Sequence, residues 1–141
     1  MQPILEHVYD AIVDIEPRRD LGRSARGERF IVPILGGSFE GPRLKGRVLA
    51  GGADRQLLRP DGVKELDALY EMETDDGAVI TVRNRVLIED PSPDGRYARS
   101  VVQLTAPEGP HAWLNRRVFV GTLASLKPQR DAVKISVYCV R

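Results

Sequence analysis

The sequence predicts an all-β fold: an antiparallel, up-and-down-like β-barrel of about nine strands around a central pocket, with little or no helix. Apolar and polar residues alternate in one stretch after another, turn residues punctuate the chain at fairly even spacing, and no segment keeps a helical period. At 141 residues the chain suits a single domain, 1–141, with one core.

Residues 4 to 15 alternate, with Leu5, His7, Tyr9, Ala11, Val13 and Ile15 on one face, and read as a strand. From Glu16 to Arg26 the apolar pattern stops, predicting a longish loop of the kind that borders binding sites. Phe30, Val32 and Ile34 restart a strand that Gly36 and Gly37 interrupt, as a bulge or barrel corner would. Arg43 to Ala50 is the next strand, Gly51 to Asp54 a turn, Gln56 to Arg59 a short strand, and Pro60-Asp61-Gly62 a tight turn. Lys64 to Thr74 carries Leu66, Ala68, Tyr70 and Met72 on its apolar side. It pairs across a primed turn at Asp76-Gly77 with Ala78 to Ile88. Breaks at Pro91 to Gly95 and Pro107 to Pro110 delimit Tyr97 to Thr105, and Trp113 to Leu123 and Ala132 to Val140 are the last strands.

A barrel is favoured over a sandwich because amides fall on apolar faces. Asn84 is in phase with Ile80, Val82, Val86 and Ile88, and Asn115 with Trp113 and Phe119. Buried amides need partners, so this pattern points to a cavity with polar groups among apolar walls.

Lys plus Arg is 21 and Asp plus Glu 20, a net charge of +1 that gives no global attraction to nucleic acid or an anionic membrane. Cys139 is the sole cysteine, so no intrachain disulfide forms, in keeping with a cytoplasmic protein. The first residues, broken by Glu6, His7 and Asp10, lack the pattern of a secretory signal, and no apolar run approaches the roughly 20 residues of a spanning helix. His7 and His111 stand in no spaced ligand motif, so no metal is expected. The Gly-Gly pairs precede neither a helix nor a Gly-Lys-Ser/Thr run, and no cofactor is expected. No Gly-x-Ser-x-Gly elbow is present, and Cys139 reads as a small buried hydrophobe.

What remains is a set of carboxylates, arginines, an amide and an indole: Glu40, Arg47, Asp54, Asp67, Arg83, Trp113 and Asn115. Glu40 and Asp54 flank the Arg47 strand at expected barrel rims, where desolvation suits a carboxylate to general acid or base work. Arg47 or Arg83 would hold an oxyanion, Trp113 would supply a flat wall, and Asn115 an orienting hydrogen bond, with Tyr70 a further ligand contact. The plainer reading has the turn aspartates bonding their own backbone and the charged faces solvated.

Ile34 to Asp54, with its Ile-Leu-Gly-Gly-Ser-Phe-Glu-Gly-Pro-Arg and Leu-Ala-Gly-Gly-Ala-Asp runs, resembles a family of small bacterial and fungal proteins known as domain of unknown function 3237, or uncharacterised protein family 0311. The likeness recurs in Arg59 to Val63, Thr74 to Ala78, Ala112 to Arg116 and Val118 to Thr122. It implies a closed or nearly closed barrel, and it keeps Asp67 as a candidate, although parity sets Asp67 opposite the apolar side. Cyclase-type activity among fungal relatives in natural-product pathways is also implied. The chain departs from the family at Arg55 and His111, where aromatics are usual; aromatics lost from a pocket would mean a more polar ligand.

The leading expectation is a small-molecule-binding barrel acting as a cofactor-independent cyclase or isomerase on an aromatic or polyketide-like substrate. In it Glu40 or Asp54 is the base, and Arg47 or Arg83 stabilises an enolate-like oxygen. Its rival is a non-catalytic carrier or sensor of a small apolar ligand, and a third reading is a barrel filled by its own side chains. Apolar residues on both faces of 4 to 15 and 132 to 140 point to a homodimer contact.

Overall fold

The computed structural model describes residues 1–141. Ten strands follow in order: β1 Leu5–Ile15, β2 Arg19–Ser24, β3 Gly27–Glu40, β4 Lys45–Val48, β5 Ala53–Leu58, β6 Lys64–Thr74, β7 Val79–Ser92, β8 Gly95–Thr105, β9 Phe119–Ser125 and β10 Ala132–Val140. One 3-10 turn, Ala112–Arg116, lies between β8 and β9. Every pairing is antiparallel, and the path β1-β10-β9-β8-β7-β6 continues through β4 and β5 to β3, which bonds back to β1. The result is a closed eight-position barrel. β4 and β5 share one position, and β2 lies outside the ring, bonded to β3 alone.

β3 makes this closure. Its first half pairs β2 on one edge and β5 on the other, and its second half pairs β1 and β4. The switch falls at Gly36 and Gly37, whose φ angles of 151° and 139° suit glycine alone. A Cβ on Gly37 would lie 1.9 Å from the Ile12 carbonyl oxygen, so β1 approaches too closely for any side chain. Opposite, Leu49 to Gly52 bulge between β4 and β5, and a Cβ on Gly52 would meet the Tyr70 Cβ at 2.4 Å. The two glycine pairs are therefore corners of the barrel.

Four local expectations are corrected. The loop over 16 to 26 contains β2, a polar edge strand with no buried face for a periodic pattern to reveal. In β1 a register shift between His7 and Tyr9 turns the chain, so Leu5 and His7 are exposed and Val8 is buried beside Tyr9. The strand expected from Trp113 begins only at Phe119, because 112–116 coil into the 3-10 turn. The Asp76-Gly77 turn also differs from the primed type: only Gly77 has positive φ, and its N–H donates to the Thr74 carbonyl, closing a wider loop.

The lumen is filled at one end only. A core of 21 buried residues, among them Tyr9, Phe39, Met72, Ile80, Leu114 and Phe119, occupies the end at which β6 finishes and β7 begins. Leu114, at the apex of the 3-10 turn, is 1% exposed and stoppers that end. Burying such a side chain contributes about 1.5–3 kcal/mol. The outer face is laced with ion pairs, such as Arg83 with Asp67 and Arg130 with Asp14. No helix is long and apolar enough to cross a membrane.

Replacing Gly37 or Gly52 with alanine is expected to destabilise the barrel by about 3 kcal/mol or more, since backbone or packed Cβ atoms must move. Gly62→Ala, in open space with only its φ of 87° strained, should cost about 1 kcal/mol in the same urea titration.

Candidate functional site

Opposite the stoppered end, inward-facing residues are smaller or polar, and a cavity of about 210 Å³ opens to solvent. A cavity of about 150 Å³ already admits benzene, so there is room here for one substituted ring. Its walls are aliphatic, with Val32 and Ile34 from β3, Leu66 from β6, Val86 and Ile88 from β7 and Ile135 from β10.

Four polar side chains interrupt these walls: Asp54 and Gln56 from β5, Tyr70 from β6 and Asn84 from β7. All four follow from strand parity, because β5 and β6 pair with Asp54 opposite Ala68 and Gln56 opposite Leu66, both inward-facing. Gln56 Nε2 donates to Asp54 Oδ2 at 2.9 Å. The other Asp54 oxygen, Gln56 Oε1, the Tyr70 hydroxyl and Asn84 Oδ1 are buried without a protein partner. Leaving such groups unpaired costs about 1–3 kcal/mol each.

Burial is the chief influence on Asp54 and pushes its pKa up to about 6, against the opposing pull of the Gln56 hydrogen bond and the Lys64 charge. Tyr70 is raised by burial and then by the Asp54 charge. Around the opening stand Glu16, Arg18, Lys64, Arg96, Ser125 and Lys127. Lys64 is half-buried, and its proton affinity is lowered first by burial and then by the Arg18 charge, with Arg96 and Lys127 adding to it.

Of the residues singled out from sequence, Asp54 and Tyr70 meet in this cavity, joined by Asn84. The other six lie elsewhere or outside. Glu40 is exposed at the stoppered end of the barrel, grouped with Arg43, Asp75, Asp76 and His111. Arg47 is on the outer face, donating to Glu73 at 2.8 Å. Arg83 and Asp67 form a two-pronged outer pair at 3.0 and 3.2 Å, which holds the Asp67 carboxyl below its usual range. Trp113 packs at the stoppered end against Phe119, with Arg43 3.9 Å over its ring. Asn115 is structural: its amide accepts from Ala106 N–H and donates to the Ala106 carbonyl, both at 2.9 Å, pinning the 3-10 turn to the end of β8.

Asp54 itself is an inward strand residue and not a rim turn. Arg55 points outward beside Asp67, and His111 bonds Asp76 at 3.0 Å at the stoppered end, so neither departure from the family pattern alters the cavity. Gln56 was missed, although its parity with Asp54 could have found it. The mouth cations carried no local signal, since chain closure alone gathers them.

A closed antiparallel barrel, stoppered at one end and holding a half-polar cavity at the other, defines the class: a pocketed β-barrel. Within that class the chain belongs to the family described as protein of unknown function DUF3237, whose model matches residues 3–140. A UPF0311 protein of Rhodopseudomonas palustris is 34% identical, with 99% of each chain covered, and one of Clostridium acetobutylicum is 31% identical over 92% of this chain and 90% of that one. Among solved structures, a conserved protein of unknown function from Rhodopseudomonas palustris superposes with a TM-score of 0.92 at 32% identity, over 100% of this chain and 99% of that one. A beta-barrel like protein from Acinetobacter baumannii gives 0.90 at 31%, over 100% and 98%. An enzyme from Penicillium herquei gives 0.80 at 23%, over 100% and 96%, a likeness of fold.

The Asp54 shift fixes a pH dependence of stability. Between the unfolded pKa of about 3.9 and the folded value of about 6, the native state holds the proton and the unfolded state releases it. Asp54 therefore lowers stability progressively as pH rises through that window. Asp54→Asn is expected to be the more stable protein at pH 7, by about 2–3 kcal/mol, and to show a flatter profile from pH 4 to 6 in chemical denaturation.

Proposed function

We propose that this barrel binds a small organic molecule and catalyses a proton transfer on it without a cofactor, as an isomerase or cyclase does. The observation that carries the reading is the half-buried carboxyl of Asp54, whose buried, unpartnered oxygen lies on the wall of an otherwise largely aliphatic cavity. A pKa of about 6 leaves it mostly ionised at neutral pH yet basic enough to take a proton, the match that general base catalysis favours. Its Oδ1 removes a proton from a carbon next to a carbonyl of the substrate, and the electron pair moves onto that carbonyl's oxygen. Tyr70 donates its hydroxyl hydrogen to that oxygen, and Asn84 and Gln56 accept from hydroxyl groups beside it. Return of the proton at a different atom completes an isomerisation. Attack of the same electron pair on a second carbonyl carbon closes a ring, the pi pair of that carbonyl moves to its oxygen, and the proton is delivered to the resulting alkoxide. The barrel shared with the Penicillium herquei enzyme is compatible with catalysis and says nothing of the substrate.

A second reading, a carrier of a small apolar molecule, is favoured by the predominance of aliphatic walls, with 12 of 21 lining residues hydrophobic. The two separate on one comparison. Native mass spectrometry and extraction of freshly purified protein identify any co-purified molecule, which is then incubated with the protein and with its Asp54→Asn variant. A catalyst converts the molecule, loses at least about a hundredfold in kcat in Asp54→Asn while retaining binding, and keeps full activity in Glu40→Gln. Its kcat/KM should rise with pH through an apparent pKa near 6. A molecule recovered unchanged from both proteins would identify a carrier.

A further inference from the structure

The mouth of the cavity gathers positive charge. On the outer face some arginines are neutralised in two-pronged pairs, Arg47 with Glu73, Arg83 with Asp67 and Arg130 with Asp14, while others, such as Arg26 and Arg55, form no ion pair. At the opening, Arg18, Lys64, Arg96 and Lys127 line one rim with a single carboxylate, Glu16, and that carboxylate is engaged by Arg19 at 2.9 Å. Arg96 has only a long contact to Asp90, at 3.7 Å, and a bond to the Leu123 carbonyl. Arg18 lies flat over the Phe30 ring at 4.0 Å, which fixes its guanidinium at the opening. Lys64, Lys127 and Arg18 form no ion pair.

Two of the four lysines in the chain, Lys64 and Lys127, thus stand at this rim in a protein of net charge +1. Half-burying Lys64 beside Arg18, Arg96 and Lys127 is unfavourable, the Asp54 charge offsets this only in part, and an anion at the rim would complete the site. Burial first, then the Arg18 charge, with Arg96 and Lys127 adding and Asp54 opposing, lowers the proton affinity of Lys64. The floor has the opposite character: three of its four unpartnered atoms, on Asp54, Gln56 and Asn84, are acceptor oxygens, and the fourth is the Tyr70 hydroxyl. An anionic group would be repelled there and welcomed at the rim.

We propose that the molecule seated in this cavity is a small organic acid whose carboxylate rests among Arg18, Lys64, Arg96 and Lys127 while a hydroxyl or carbonyl at its other end reaches the Asp54 floor. The proposal rests on the cavity being a ligand site, as in the function proposed above, and adds the class and direction of the ligand. About 210 Å³ limits the apolar middle to a single ring or its aliphatic equivalent.

The test uses para-hydroxyphenylacetate and its neutral amide, para-hydroxyphenylacetamide, titrated by ligand-observed NMR against the full-length protein and a Lys64→Met/Lys127→Met variant whose fold is checked by circular dichroism. The acid should bind the wild type at least about tenfold more tightly than the amide at low ionic strength, and the ratio should fall toward one with added salt. In the double variant it should drop to within about threefold, with amide affinity unchanged. Equal binding of acid and amide to the wild type would overturn the anionic rim and leave the cavity reading intact. An acid preference that survives in the double variant would overturn the assignment to these lysines. Binding of neither compound at millimolar concentration would overturn the organic-acid class and count against the cavity reading itself.

Discussion

Everything in this molecule follows from β3 finding a hydrogen-bond partner along both edges over its full length. A 14-residue strand cannot do so if straight, because its two halves face different neighbours. The bend at Gly36 and Gly37 swings the second half onto β1, and the bulge ending at Gly51 and Gly52 lets one barrel position follow that bend without losing β6. An open sheet would leave unpaired edges, whereas closure removes them, and it also creates an inside. Of 88 backbone hydrogen bonds, 71 run within the strands, a ladder sturdy enough to tolerate several unsatisfied polar atoms in the lumen.

The strands were legible because most have one buried and one exposed face. β6 and β7 keep strict alternation, which placed Tyr70 and Asn84 among inward residues before any coordinates. Legibility failed where that rule lapses. β2 buries nothing, β1 changes face at Val8, and 113 to 115 imitate a strand with a period-two pattern that in fact belongs to a 3-10 turn held by Asn115. At the site, residue type drew attention to Asp54, but reading its bulge as a turn put it on the rim. The same reading joined it with Glu40, although the two belong to opposite ends of the barrel. Arg47 and Arg83 were plausible oxyanion holders by chemistry, and strand parity turns both outward. The mouth is the least legible part: Arg18, Lys64, Arg96 and Lys127 sit at the ends of four separate strands or connections, and only ring closure makes them neighbours.

The interior is arranged against stability. Outer carboxylates such as Asp67 are held ionised by arginine, while Asp54 is surrounded by aliphatic side chains and one amide donor, and its charge is resisted by burial. A hydrophobe in its place would pack better. That a carboxyl, a phenol and two amides stand together in one otherwise aliphatic cavity is the feature hardest to account for by folding alone.

The Leu114 stopper has a kinetic meaning. A tube open at both ends could take in one molecule while discharging another, but this one has a single doorway, and whatever enters must back out along its own track. On the proposed function, a spent molecule would compete directly with the next arrival for that doorway. The end that enters first would be the end that meets Asp54, so which way round a molecule travels would decide which of its atoms can react.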